Sequence, residues 1–315
     1  MKRLSIVTAS ALLGVALLTG PAAAGGWPGD APYSVSRAKL DDALGCRGGM
    51  SRLDGNGKKQ PVLLVHGTGI DRRESWSWNY WDVLHQRGFE VCWVDLPGRA
   101  LVDAQRSSEY VARAFTVIHR RTDEKVDVLG HSQGGLEPRW AVKWFRSGRH
   151  VADYISLATP NHGTVVADAS AEGDGCFPSC WQMRTVAEFI AALNHEGETP
   201  GPIHYTNIYS ATDELVQPVG TSALSGASNV LLQDVCPGRP VDHGTILSDY
   251  VTFKLVMDAL VNPGPARPDR LPPTVCAGSS MPGVGAPPPE LSNLDDFSQG
   301  EPTDHEPPLR PYARP

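Results

Sequence analysis

A serine lies in a glycine-rich run that could supply a nucleophile, Gly130-His131-Ser132-Gln133-Gly134-Gly135. The apolar, β-branched residues 126–129 come directly before the run, and a helical pattern follows it. A sharp strand–turn–helix needs small neighbours beside the serine, and it holds the hydroxyl clear of the sheet at the positive end of a helix. This G-x-S-x-G setting predicts that Ser132 is a nucleophile, with a chance occurrence of the motif as the alternative.

A serine hydroxyl needs a base, and the base needs an acid that orients it. In this setting the acid and then the base follow the serine along the chain, each after a strand. Asp213 follows the strand-like residues 205–209, and His243 lies in a loop before a helical pattern. The sequence therefore predicts a triad of Ser132, Asp213 and His243.

Other residues compete for the roles of acid and base. Glu214 would need a different backbone direction from that of Asp213, and Asp242 is too close to His243 in sequence to orient it comfortably. The remaining candidate bases, which do not combine the chain order with the loop setting, are His162, His195 and His204. A turn-capping acid and a surface histidine are the alternative interpretations of Asp213 and His243.

The chemistry also requires donors for the negative oxygen of a tetrahedral intermediate. The backbone N–H of Gln133 follows the nucleophile and would face this oxygen. A second donor is expected in the loop after the first strand, Val65-His66-Gly67-Thr68-Gly69, where Thr68 could offer its N–H and its hydroxyl. We therefore expect an oxyanion hole at Thr68 and Gln133, with a plain glycine turn as the alternative for the Thr68 loop.

Between residues 61 and 250, short β-branched runs alternate with longer helical patterns. This alternation predicts an α/β fold with a mostly parallel sheet and helices on both faces. Residues 181–193 carry one apolar stripe, which we interpret as core packing rather than as a lid that contacts substrate. The strand-like runs are 62–65, 90–94, 126–129, 154–157 and 205–209, and the other helical patterns are 107–120, 136–145 and 245–261.

The two ends of the chain differ from the part between them. Residues 1–24 combine Lys2 and Arg3, a short apolar run and an Ala-x-Ala-like site, the pattern of a cleaved signal peptide, so we expect a secreted, extracellular protein. Residues 281–315 hold nine prolines in 35 residues and few large apolar side chains, which predicts a disordered tail. The catalytic domain is expected over residues 25–280, with no transmembrane segment.

Net charge argues against one class of partner, and the cysteine content predicts disulfides. The net charge is −7 and no block of Lys and Arg stands out, which argues against a nucleic-acid partner. Six cysteines in an exported chain predict three disulfides, for which fifteen pairings are possible. Cys176 and Cys180 are close enough to pair with each other, and a metal clip lacks a second Cys/His pair nearby.

The motifs together resemble the family of Candida antarctica lipase B. The resemblance covers about residues 30–262 and rests on segments 67–69, 132–136, 158–164 and 209–218. It implies an α/β-hydrolase fold, the same triad and the same oxyanion site. It also implies the disulfides Cys46–Cys92 and Cys236–Cys276, which leaves Cys176–Cys180.

This chain departs from that family at three places. His131 precedes the nucleophile where the family's lipase carries a tryptophan that lines its alcohol pocket. Pro138 lies early in the helix after the elbow, where a first turn tolerates it. The long alanine-rich C-terminal helix of the family is replaced by the proline-rich tail, so we expect a more open substrate entrance.

These observations predict a monomeric serine hydrolase of carboxylic esters, a triacylglycerol lipase or carboxylesterase that forms an acyl-enzyme. Its partner would be an ester or lipid substrate, at a lipid–water interface or in solution. No cofactor or metal is expected, because the triad and the oxyanion donors supply the nucleophile, the base and the charge stabilisation. A polyester depolymerase and an acyltransferase are the alternatives on the same scaffold, and a non-catalytic binding module is the alternative from another class.

Overall fold

The computed structural model describes residues 30–56, 59–173, 175–293 and 300–314. The expected signal peptide, residues 1–24, lies outside the described residues. Within the described ranges one sheet contains seven strands. These strands are β1 Leu44–Cys46, β2 Val62–Val65, β3 Val91–Val94, β4 Val126–His131, β5 Val151–Leu157, β6 His204–Tyr209 and β7 Ser228–Leu231.

The sheet is mostly parallel, with the strand order β1-β3-β2-β4-β5-β6-β7. Strand β1 runs antiparallel to β3, and every other neighbouring pair is parallel. In the register of the sheet, Val65 pairs with Gly130 and Leu157 pairs with Ile208. The carboxyl ends of β2, β4, β5 and β6 therefore meet at one edge, where a doubly covered parallel sheet places its functional loops.

The strands are apolar on both sides because helices cover both faces of the sheet. All four residues of β2 and all six of β4 are buried. One core cluster packs around Phe115 and Trp140, and the other packs around Leu84 and Leu255. The predicted α/β-hydrolase fold is confirmed, while the short edge strands β1 and β7 had no recognisable signal in the sequence.

The helices connect and cover the strands. Their bounds are α1 Arg37–Asp42, α2 Arg72–Trp76, α3 Tyr80–Gln86, α4 Ala104–Thr122, α5 Leu136–Trp144, α6 Val165–Glu172, α7 Pro178–Gln182, α8 Glu188–Asn194, α9 Leu232–Val235 and α10 Tyr250–Val261. Side-chain caps fix several of these ends. Asp103 accepts the N–H of Gln105 at the start of α4, and Asp249 accepts the N–H of Thr252 at the start of α10.

One predicted helix is divided in the structure. Residues 181–193 do not form a continuous helix, because the chain leaves α7 after Gln182 and is extended at Ala187 before α8 begins. Phe189, Ile190 and Leu193 are buried as expected, but Val186 lies in the break and is 73% exposed. An apolar stripe with helical spacing in the sequence does not reveal a break between two short helices.

The C-terminal segment also differs from the expectation of a disordered tail. Its described residues 300–314 pack on the domain, with Leu309 and Ala313 buried. Thr303 donates its N–H to the carbonyl of Cys176, and the Glu306 carboxylate accepts two N–H groups at the start of α8. The segment has too little apolar surface for a core of its own, but its Tyr312 packs against Trp144 and Phe145 at the end of α5.

Three disulfides join the cysteines as predicted, Cys46–Cys92, Cys176–Cys180 and Cys236–Cys276. The last of them ties the loop that follows α9 to the segment that precedes the proline-rich stretch. In the part of the chain that the structure describes, no helix has the length and apolar character needed to cross a membrane.

Candidate active site

Ser132 lies at a sharp turn between β4 and α5. Its φ is 55°, a left-handed conformation that costs a side-chain-bearing residue about 1 to 2 kcal/mol. The turn is possible because its glycines leave room for backbone. A Cβ on Gly130 would lie 2.1 Å from the carbonyl oxygen of Gly134, and a Cβ on Gly134 would lie 2.4 Å from that of Val65. Glycine is therefore required at both positions, because a side chain there would collide with backbone oxygens. The turn presents Ser132 at the edge of the sheet.

Asp213 and His243 meet at the same edge although they come from different loops. The two carboxylate oxygens of Asp213 lie 2.9 and 3.1 Å from Nδ1 of His243, and both side chains are about 3% exposed. Oδ1 of Asp213 also accepts the backbone N–H groups of Leu215 and Val216, each at 2.9 Å. These backbone donors fix the carboxylate, so that it holds the imidazole with its proton on Nδ1 and its Nε2 free.

The electrostatics of this pair favour the charged state of both partners. Burial opposes charge on His243, but the Asp213 carboxylate and their hydrogen bond outweigh it and raise the pKa of the imidazole above 6.5. Burial would likewise raise the pKa of Asp213, but His243 and the backbone donors lower it below 3.8. The carboxylate therefore stays ionised and stabilises a positive imidazole, which a proton acceptor in a reaction must become.

The peptide group of His243 is held on both sides. Its N–H donates to Oε2 of Glu214 at 3.1 Å, and its carbonyl accepts Nε2–H of His131 at 2.9 Å. Burial lowers the pKa of His131 to about 3, so this side chain is neutral near pH 7. Its Nδ1 is buried and has no hydrogen-bond partner in the part of the chain that the structure describes. His131 thus supports the loop of His243 in addition to standing beside Ser132.

The loop after β2 approaches Ser132 closely. A Cβ on Gly67 would lie 3.0 Å from Cβ of Ser132, which explains the glycine at this position. His66 stabilises the loop, because its Nε2 accepts the N–H of Leu96 and its Nδ1–H donates to the carbonyl of Gly67, both at 2.9 Å. Burial lowers the pKa of His66 to about 4 and keeps it neutral.

The two predicted oxyanion residues are in direct contact. The Thr68 hydroxyl donates to the side-chain oxygen of Gln133 at 2.5 Å. The Gln133 amide nitrogen in turn donates to the carbonyl of Ala100 at 3.0 Å and to Glu137 at 2.7 Å. The hydroxyl of Thr68 is therefore engaged by Gln133, and the backbone N–H groups of Thr68 and Gln133 remain as the candidate donors.

Ser132, His243 and Thr68 line one cleft. Within the described chain, no hydrogen bond joins Oγ of Ser132 to Nε2 of His243, a contact that often forms only when substrate is bound. The walls are mainly apolar, which suits a hydrocarbon group. They are formed by Ile70, Pro160, Met183, Leu215 and Val216, with Gly67, His131 and Thr164 completing the lining.

The competing acids and bases have other partners. Glu214 holds the backbone of His243, while Oδ1 of Asp242 accepts the N–H groups of Gly244 and Thr245. The alternative histidines are absent from the lining of the cleft. His162 contacts Glu198 at 3.1 Å, and His204 contacts Asp153 at 3.2 Å.

Several residues of the site were not recognised from the sequence. Met183 lies in the cleft, and its sulfur is 3.9 Å from the Thr68 hydroxyl. Thr159 donates its hydroxyl to the carbonyl of Ser132 at 2.9 Å. Glu137 is fully buried behind Gln133. Of these, only Glu137 carried a usable signal, as an acid among apolar residues in the helix after the elbow.

Comparison with known proteins places this chain in a family. The model of the family described as Lipase (class 2) matches residues 59–237, which include Ser132, Asp213 and both candidate oxyanion residues. The chain belongs to the class 2 lipase family. This class 2 lipase is 32% identical to Lipase B of Pseudozyma antarctica over 240 residues, which cover 73% of this chain and 69% of that protein.

Two further relatives of this class 2 lipase are also lipases by name. The crystal structure of Aspergillus fumigatus lipase B matches with a TM-score of 0.81 and 32% identity, covering 91% of this chain and 74% of that one. A triacylglycerol lipase of Pseudarthrobacter phenanthrenivorans is 27% identical over 138 residues, 42% of this chain and 43% of that protein. The class 2 lipase described here is therefore an ester hydrolase, and its likeness to the lipase B family is confirmed.

Proposed function

We propose that this lipase is a secreted triacylglycerol lipase that works through an acyl-enzyme, with Ser132 as nucleophile, His243 as base and Asp213 as the orienting acid. The observation that carries the proposal is the buried Asp213–His243 pair, whose imidazole lines the same cleft as the strained Ser132. A strained serine and a buried carboxylate–imidazole pair are each costly to maintain, and the triad mechanism uses both.

In the first half of the reaction, Oγ of Ser132 attacks the ester carbonyl carbon while Nε2 of His243 takes the hydroxyl proton. The carbonyl oxygen becomes an oxyanion, which the backbone N–H groups of Thr68 and Gln133 would stabilise. The bond to the leaving oxygen then breaks as His243 returns the proton to the alcohol. The acyl group remains as an ester of Ser132, and the alcohol leaves.

In the second half, water attacks the acyl carbon with His243 again acting as base. The Ser132 ester bond breaks, the serine recovers its proton, and the carboxylic acid leaves. Asp213 remains ionised throughout and stabilises the positive imidazole of each step. The balance is one ester and one water consumed, with one acid and one alcohol released.

The substrate class is supported by the walls of the cleft and by the relatives. The apolar residues Ile70, Leu215 and Val216 suit an acyl chain, and one of the reported relatives is named a triacylglycerol lipase. Export is supported by three disulfides, which persist in oxidising compartments. The monomeric state stays a prediction, which light scattering after size-exclusion chromatography would check.

The decisive experiment is labelling and substitution of the nucleophile. An organophosphonate should modify Ser132 alone, and Ser132→Ala should lower turnover on emulsified tributyrin and on p-nitrophenyl butyrate by about 10⁶. Ser170 on α6 has its hydroxyl bonded to the carbonyl of Val166, and Ser170→Ala is the matched control that should keep full activity. Labelling at another residue, or near-normal turnover of Ser132→Ala, would refute the mechanism.

A further inference from the structure

A buried carboxyl group lies directly behind the candidate oxyanion hole. Glu137 is the second residue of α5 and is 0% exposed. Its Oε1 accepts the amide N–H of Gln133 at 2.7 Å, and its Oε2 is buried with no hydrogen-bond partner among the described residues. Neither the triad nor the oxyanion donors use this carboxyl group. A buried acid with an unpaired oxygen is costly in a core and therefore calls for an explanation.

The contacts of Glu137 lead to the oxyanion residues in two steps. The amide nitrogen of Gln133 is shared between Glu137 and the carbonyl of Ala100, which fixes the orientation of the amide. The amide oxygen is thereby directed at Thr68, whose hydroxyl it accepts at 2.5 Å. Because Thr68 and Gln133 carry the two candidate N–H donors, a fixed Gln133 side chain also fixes the spacing of these donors.

We infer that Glu137 is a positioning residue for the oxyanion hole, acting through the Gln133 side chain on Thr68. The inference rests on the proposed function, since it assigns a role within that same reaction. Glu137 does not line the cleft, so it acts on the preorganisation of the donors and not on substrate binding. The predicted signature is a lower kcat with little change in KM when the carboxyl group is removed.

The charge state of Glu137 provides a second signature. Burial raises its pKa from 4.5 to about 8, and among the described residues the groups that act on it include no cation. At neutral pH the side chain is therefore uncharged, and in more alkaline solution it acquires a negative charge behind the oxyanion hole. That charge opposes the negative charge of the tetrahedral intermediate, so kcat should fall as pH rises past about 8.

Two other titrating groups near α5 must be separated from this effect. Tyr154 of β5 donates its hydroxyl to the carbonyl of Gly135. Burial raises the pKa of Tyr154 to about 12, so it does not titrate near pH 8, where the decline in kcat is expected. Lys143, two turns along α5, binds carbonyls at the end of α8, and burial lowers its pKa to about 8. A decline caused by Lys143 would persist when Glu137 is replaced, which makes the two sources distinguishable.

The experiment compares two substitutions of Glu137 in the full chain. Glu137→Gln keeps an acceptor for Gln133 but cannot ionise, so it should retain most of the neutral turnover and lose the decline above pH 8. Glu137→Leu removes the acceptor, so kcat on p-nitrophenyl butyrate should fall about tenfold with KM unchanged, less than the loss of a whole oxyanion donor. Asp127→Asn removes a buried carboxyl near the start of β4, and it is the control that should keep the wild-type pH profile.

A coupled substitution tests the route through Gln133. In a Gln133→Ala background, the further change Glu137→Leu should have no additional effect on kcat, whereas independent effects would multiply. The inference is overturned if Glu137→Gln keeps the alkaline decline, or if the Glu137→Leu effect is unchanged in that background. Should Glu137→Leu fail to fold, the pH profile of Glu137→Gln still decides. Phosphonate labelling of Ser132 tests the proposed function separately from this result.

Discussion

Replacement of Asp213 by asparagine tests the geometry of the triad more sharply than its removal would. In the folded protein, Oδ1 of Asp213 accepts two backbone N–H groups, those of Leu215 and Val216. An asparagine must keep its oxygen at that position, because its NH₂ group cannot accept these donors. The NH₂ group therefore takes the position of Oδ2, which lies 2.9 Å from Nδ1 of His243.

A donor at this position reverses the tautomer of His243. Nδ1 must become the acceptor, so the proton moves to Nε2, the nitrogen that should take the proton of Ser132. The cost corresponds to about four decades in kcat, or ~5.5 kcal/mol at about 1.4 kcal/mol per decade. The fold should survive, because the asparagine keeps the volume of the side chain and the backbone contacts at residues 215 and 216.

The assay is steady-state hydrolysis of p-nitrophenyl butyrate, with circular dichroism to confirm folding. Glu214→Gln and Asp242→Asn are matched controls, because each keeps the acceptor oxygen that binds backbone N–H groups and loses only a charge. Both should stay within about tenfold of the wild type, the effect of a modest change in the pKa of His243. If Asp213→Asn keeps more than a tenth of wild-type turnover, or if a control is the crippled variant, the assignment of the acid is wrong.

Three further predictions follow from the same structure. Because His243 must be neutral to act as a base and its pKa is raised above 6.5, kcat/KM of the free enzyme should be lost in acid and recover through a pKa above 6.5; a midpoint below 6.5 would contradict this. Replacement of both Cys236 and Cys276 by serine should lower the free energy of unfolding by about 3 to 4 kcal/mol in urea titrations and also reduce kcat, because that disulfide holds the loop of His243; an unchanged unfolding midpoint would count against it. Glu306→Ala should cost about 1 kcal/mol in the same titration by removing the cap of α8, whereas no effect would indicate that the C-terminal segment is not held there.

The pattern of the sequence was sufficient for the parts of the fold that depend on local preference. The buried strands β2 and β4 consist of apolar residues because helices cover both faces, so their runs were visible without a structure. The helices α4 and α5 were predicted within three residues of their observed starts. The edge strands β1 and β7 were not, since Leu44–Cys46 and Ser228–Leu231 lack the continuous apolar, β-branched run that marks β2.

The C-terminal segment illustrates where composition fails. A proline-rich stretch with few large apolar residues lacks the material for its own core, and the sequence therefore indicated disorder. In the structure, Leu309 is buried against the domain and Tyr312 packs against Trp144 and Phe145. The composition of a segment cannot predict that it packs on a surface formed by residues distant in the sequence.

For the candidate site, the sequence by itself placed Ser132 and Asp213 after strands, and chain order together with its loop setting selected His243. Chain order works because parallel strands bring their carboxyl ends to one edge, whatever the length of the connections. Only the tertiary structure decided the supporting contacts, such as Glu137 behind Gln133 and His131 against the carbonyl of His243. Each of these contacts joins two atoms about 3 Å apart, and the packing of several elements brings those atoms together. Sequence spacing specifies only the direction in which side chains point along a single helix or strand.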